Sequence, residues 1–84
     1  MTDPSAAPPE LLDVTGLICP LPVLKLRKRL QAMAPGARIA VVATDPAARI
    51  DIPHFCAETG HELLDQHIEA DRFHFTVRCK PAAG

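Results

Sequence analysis

Two side-chain types in this chain can do covalent or ligand chemistry near neutral pH: the cysteines at 19, 56 and 79, and the histidines at 54, 61, 67 and 74. Cys19 has the most telling surroundings, Thr15-Gly16-Leu17-Ile18-Cys19-Pro20-Leu21-Pro22-Val23. The stretch reads as a strand end, a tight turn and the first turn of a helix. Proline is favoured at the first helical position, because the amide hydrogen it lacks would be unpaired there and its φ already suits a helix. With Pro20 in that position, Cys19 is the predicted N-cap. Its sulfur then faces unpaired amides and the positive end of the helix, a setting that turns a thiol into a thiolate. Pro20 and Pro22 offer no N–H, so the Leu21 amide is the expected hydrogen-bond donor to the sulfur. The two prolines are also expected to stiffen the turn and hold the sulfur outward.

Other chemistry has less support. A cysteine hydrolase needs a base within hydrogen-bond reach, usually a histidine. None of the four histidines lies near Cys19 in sequence. Zinc needs three or four clustered ligands. His54-x-Cys56 is the one tight pair, and its side chains diverge on a helix, so no metal centre is expected. Cys19-Pro20-Leu21-Pro22 lacks the second cysteine of a two-cysteine redox motif. No glycine-rich phosphate loop occurs. What remains is one activated sulfur on a small platform, which suits a carrier better than a stand-alone enzyme. Persulfide sulfur is the expected cargo, held transiently on Cys19 with no other cofactor, because an attacking thiolate takes the outer sulfur of such a group.

The elements that must position Cys19 follow from periodicity. The 84 residues make one domain with one modest core. Residues 1–10 are proline-rich and read as a disordered lead-in, and 81–84 as a tail. Over Leu11–Thr15, apolar and polar residues alternate as in a strand. A first helix is expected from Pro20 to about Met33, with Val23, Leu26, Leu30, Met33 and Ala34 on its inner face. Leu21, Lys25 and Lys28 share the opposite face and read as a partner-docking strip. Arg38–Thr44 is a central strand, parallel to the first through a right-handed crossover. Asp45-Pro46 starts a short helical turn through Arg49. Pro53 is expected to interrupt it, and Asp51 to cap a second segment from Ile52 to Thr59, where Cys56 is a buried structural thiol. Glu62–Ala70 and Arg72–Lys80 form a hairpin turning near Ala70-Asp71. Phe73, Phe75, Val77 and Cys79 lie on its dry face, and Val42 on the uncovered face of the sheet. The expected fold is an α/β two-layer sandwich, β-α-β-α-β-β, with two helices on one face of a four-stranded mixed sheet.

Charge adds one asymmetry. Nine basic and ten acidic residues nearly cancel. Yet the interval between Asp13 and Asp45 holds no acid and carries Lys25, Arg27, Lys28, Arg29 and Arg38. The half bearing Cys19 is therefore expected to be electropositive, which supports a thiolate and attracts an acidic partner. A regulatory or RNA-binding module built on the basic helix is the rival reading, but the three phenylalanines are expected to face inward and give no stacking platform. A thiol redox sensor is another. Odd, widely spaced cysteines and the lack of a signal or membrane segment point to a reducing, cytoplasmic setting.

These residues resemble the TusA (SirA-like) sulfur-carrier family. The match runs through Leu12-Asp13, Gly16-Leu17, Cys19-Pro20-Leu21-Pro22, the basic helix, Pro35-Gly36, Asp45-Pro46, Asp51-Ile52-Pro53, Phe55-Cys56 and the terminal hairpin, about residues 11–80. The resemblance implies that Cys19 accepts persulfide sulfur from a cysteine desulfurase or rhodanese-type donor. It then passes the sulfur to an acceptor protein, in the best-known branch toward 2-thiouridine in tRNA. Other branches carry sulfur for molybdenum-cofactor biosynthesis or dissimilatory sulfur oxidation. Cys56 matches a second family cysteine that is not the carrier. Leu21 stands where some tRNA-thiolation members have an acidic residue. Stable direct binding to nucleic acid or to a membrane is not implied.

Overall fold

The computed structural model describes residues 7–81. The chain runs β1 (Glu10–Val14), α1 (Leu21–Ala32), β2 (Arg38–Ala43), α2 (Ala48–Thr59), β3 (Glu62–Glu69) and β4 (Arg72–Arg78). The sheet order is β1-β2-β4-β3. β1 pairs parallel to β2, and β4 pairs antiparallel to both β2 and β3. This is the expected two-layer sandwich. Most of the expected lead-in lies outside the described residues. Within its described end, Glu10 belongs to β1 and the Ala7 carbonyl accepts a hydrogen bond from Arg38 (2.7 Å).

One face of the sheet carries the core. Ile39, Val41 and Ala43 of β2 and Phe75 and Val77 of β4 alternate inward and are buried. They meet Leu26 and Leu30 of α1 and Ile52, Phe55 and Cys56 of α2 in a single cluster. Burying a side chain such as Leu26 contributes about 1.5–3 kcal/mol. The other face is uncovered and carries Leu11, Asp13, Ala40, Val42, His74 and Thr76, with Val42 opposite His74 in the β2–β4 register.

Two local expectations need correction. Pro53 does not interrupt α2, which is continuous over Ala48–Thr59 with the proline inside it. The helix opens on tight bonds from Ala48, Arg49 and Ile50 to residues 45, 46 and 47. Pro53 follows within two turns of that start, and the inner face of Ile52, Phe55 and Cys56 stays intact around it. Tertiary packing overrides the local break. β4 also ends at Arg78 rather than Lys80. Even so, Cys79 still exchanges backbone hydrogen bonds with Gly36 (3.0 Å) and Ala37 (2.8 Å), which tie the chain end to the α1–β2 turn.

The hairpin turn falls where expected. Ala70 (φ 50°) and Asp71 (φ 63°) are both left-handed, the signature of a two-residue turn whose twist matches the strands. Alanine is strained there and aspartate only tolerates it, whereas Asn-Gly favours both positions. The double change Ala70→Asn with Asp71→Gly should stabilise the fold by about 1 kcal/mol. Thermal unfolding should show a midpoint higher by about 4–8 °C. A midpoint that stays put or falls would contradict this account of the turn.

Candidate functional site

The parallel pairing of β1 and β2 builds the site. Val14 lies beside Ala43, so both strands deliver their following loops to the same edge of the sheet. The loops are then stitched together. The Gly16 amide donates to Thr44 Oγ1 (2.8 Å), and the Cys19 amide donates to Asp45 Oδ2 (2.6 Å). The other Asp45 oxygen accepts from the Ala47 amide (3.1 Å), as an aspartate does at a turn before a helix. Asp45 therefore fixes the start of α2 against the backbone of Cys19. Asp51, one helical turn into α2, completes the arrangement. The Cys19 thiol donates to Asp51 Oδ2 at 2.9 Å.

This geometry overturns the expected electrostatics. Cys19 is not the N-cap. Pro20 occupies that position, Leu21 is the first helical residue, and Cys19 lies one residue outside, joined to Pro20 by a cis peptide. The Leu21 amide is not the donor to sulfur. It closes a turn onto the Ile18 carbonyl (2.9 Å), and the Leu24 amide bonds to the Pro20 carbonyl (3.1 Å). The thiol's hydrogen-bond partner is instead a carboxylate. Accepting the proton of the neutral thiol, and repelling a thiolate, Asp51 pushes the Cys19 pKa up, with loss of solvent and the charge of Asp45 adding to the effect. The acid-free interval in the sequence is real, but folding brings two acids from beyond it to the sulfur. The resting Cys19 is a thiol.

The other expected site residues divide. Cys19, Pro20 and Leu21 are exposed, as are Lys25 and Lys28 along α1. Pro22 is not part of the outward turn. It is buried on the inner face of α1 with Leu26 and Leu30. Its role is to anchor the helix start rather than to meet a partner. The sequence reading also overlooked how apolar the rim is. Ile18 is 70% exposed and Leu24 49%, and with Leu21 they flank the thiol side of α1. Asp45 and Asp51 were read only as helix caps. Their proximity to Cys19 spans 26 and 32 residues and follows only from the strand pairing.

The remaining thiols behave as structural groups. Cys56 and Cys79 are buried, and burial pushes both pKa values up, partly offset at Cys79 by Lys80. Among the described residues no histidine touches Cys19. His54 pairs with Glu58 on the outer side of α2. His61 accepts the Lys80 amide and stacks on Phe55, and its burial and the nearby Lys80 lower its pKa.

Comparison with known proteins gives the family and the fold. The family model described as "Sulfurtransferase TusA" matches residues 10–79. The chain is 46% identical over 80 residues to a protein of Pseudomonas paraeruginosa named "Sulfur carrier protein TusA", covering 95% of this chain and 98% of that one. A Pseudomonas aeruginosa protein of the same name is 47% identical over 70 residues, covering 83% and 89%. A crystal structure of a SirA-like protein from Desulfitobacterium hafniense superposes with a TM-score of 0.74 at 18% identity, over 83% of this chain and 96% of that chain, and shares the fold.

Removing the Asp51 charge should lower the Cys19 pKa. In Asp51→Asn, alkylation of Cys19 by iodoacetamide at pH 8 should run several-fold faster than in the unaltered protein, since the thiolate is the reacting species. Peptide mapping of the modified cysteine reads the rate at Cys19 alone. An equal or slower rate would show that Asp51 does not hold the proton on the sulfur.

Proposed function

This chain belongs to the TusA sulfurtransferase family, and from that premise we propose that Cys19 is the atom that carries the sulfur. The observation that supports this most is the exposed Cys19 thiol itself, in contact with a proton acceptor and set in a Cys-Pro-Leu-Pro motif. As a thiolate, Sγ attacks the outer sulfur of a donor cysteine persulfide. A new S–S bond forms on Cys19 while the S–S bond of the donor breaks. The donor cysteine leaves as a thiolate and takes up the proton that Cys19 has lost. One S–S bond replaces another, so there is no net oxidation. Asp51, at 2.9 Å from the sulfur, holds that proton until Cys19 ionises. The same exchange in reverse, onto an acceptor cysteine, unloads the carrier.

A cysteine desulfurase or rhodanese-type protein is the proposed donor, and a second protein the acceptor. Ile18, Leu21 and Leu24 offer the apolar part of the docking surface, and Lys25 and Lys28 the charged part. Apolar anchors inside a charged rim favour transient, steered association. Delivery toward 2-thiouridine in tRNA is the proposed destination. Leu21, apolar where some tRNA-thiolation members are acidic, favours as a second reading an acceptor in molybdenum-cofactor biosynthesis or sulfur oxidation. The three unpaired cysteines suit a reducing, cytoplasmic setting. Among the described residues no helix is long and apolar enough to cross a membrane.

Incubation with a cysteine desulfurase and cysteine should add one sulfur, about 32 Da, to the intact mass. The gain should vanish in Cys19→Ser and persist in Cys56→Ser. A gain retained in Cys19→Ser would overturn the assignment. Lys25→Glu with Lys28→Glu should slow loading by a factor that shrinks as salt rises. Loading that is unaffected at low salt would exclude the lysines from docking. Loss of 2-thiouridine from bulk tRNA on deleting the gene would support the tRNA destination. Unchanged 2-thiouridine would remove that destination and leave the carrier role standing.

A further inference from the structure

The β3–β4 hairpin places two histidines and two carboxylates together on the uncovered face of the sheet. The two-residue turn at Ala70-Asp71 sets the register, so His67 stands directly opposite His74 and Glu69 opposite Arg72. Asp65, His67 and Glu69 alternate onto the same face of β3. The two imidazole rings stack at 4.9 Å with only 4° between their planes. The ligand atoms of His67, Glu69 and His74 all lie within 4.8 Å of one another.

The hydrogen bonding around His67 points to a cation. Asp65 Oδ2 takes Nδ1 at 2.9 Å, which places the proton of a neutral ring on Nδ1. The Nε2 lone pair is then left 3.6 Å from Glu69 Oε2, one electron-rich atom facing another. The gap is open to solvent, so water fills it in the free protein. A metal ion entering there would take the Nε2 lone pair, the carboxylate and a nitrogen of the His74 ring together.

We propose that His67, His74 and Glu69 bind a zinc-class divalent transition-metal ion, with Asp65 as the partner that orients His67. Two imidazoles and one carboxylate are a ligand set that zinc accepts, leaving a fourth position open to water or an incoming ligand. Zinc ligands sit about 3.3 Å apart around a tetrahedron. His67 and Glu69 are exposed and His74 is half-buried, which leaves the rings free to turn out of their parallel stack, as binding requires because each imidazole lone pair lies in its own ring plane. The carboxylate–histidine–metal chain through Asp65 is the usual way a protein fixes the tautomer of a ligating histidine. The opposing charge is Arg72, across from Glu69. The expectation of no metal looked for ligands adjacent in sequence, at His54-x-Cys56. This set is instead assembled across a hairpin.

The site stands on the opposite side of the sheet from the helices and does not rest on the sulfur-carrier reading. The test therefore uses the untagged full chain with Cys19→Ser, which removes the exposed thiol as a competing ligand. Zinc chloride added in a calorimeter should bind at one ion per chain. Binding should be lost in His67→Ala and in His74→Ala, and weakened in Glu69→Gln. Asp65→Asn should weaken it by about 10-fold or more. In nitrogen-15 NMR spectra, zinc should move the imidazole resonances of His67 and His74 and leave those of His54 and His61 in place. Magnesium at the same concentration should do neither. An absence of zinc binding, or binding unchanged in both histidine variants, would overturn the proposal. Circular dichroism of each variant guards against misfolding, and a variant that fails to fold is replaced by His67→Gln or His74→Gln at the same position.

Discussion

Val14 lies beside Ala43 because β1 and β2 run parallel, and that one pairing decides what the reactive sulfur meets. A parallel pair sends the chain out of both strands at the same end. The loop holding Cys19 and the loop holding Asp45 therefore share an edge, and α2 swings Asp51 onto the thiol. Ligand sites in parallel sheets gather at this carboxyl end for the same geometric reason. An antiparallel pairing of these strands would place Asp45 at the far end of the sheet and leave Cys19 facing only the basic face of α1.

The resulting microenvironment is two-sided. Along α1 the surface is apolar and basic, from Leu21 and Leu24 to Lys25 and Lys28. Beneath the sulfur it is acidic, with Asp45 on the backbone amide and Asp51 on the thiol. A carrier gains from this division. Its thiol stays protonated, and so resists adventitious oxidation, while exposed to solvent. Any basic group brought near Asp51 would relieve the repulsion that a thiolate feels there. Control of this kind needs no cavity, which a chain of 84 residues is poorly able to build.

What could be read from the residues depended on the range of the interaction. Strand alternation in Phe73, Phe75 and Val77 and the helical spacing of Leu26 and Leu30 are local signals, and they gave the layers and the core. The Ala70-Asp71 turn, also local, already implied that His67 and His74 face each other, since the two positions are equidistant from it. The environment of Cys19 was misread because its decisive neighbours are tertiary. Asp45 and Asp51 carry clear capping signals, yet nothing within a few residues of either says where the cap will point. Pro53 failed as a breaker for a related reason: local strain in α2 is outweighed by the burial of Ile52, Phe55 and Cys56. Pro22, expected to help hold the sulfur outward, lies two residues past Pro20, where the turn of the helix carries it into the core.

A carboxylate, rather than a helix end, governs the Cys19 sulfur. A pH titration by carbon-13 NMR, following the Cys19 Cβ and the Asp51 carboxyl carbon together, tests it most directly. The account predicts that Cys19 ionises above an unperturbed cysteine, and that the Asp51 carbon responds at that same pH as its hydrogen bond is lost. A Cys19 midpoint below that of an unperturbed cysteine, with no response at Asp51, would contradict it.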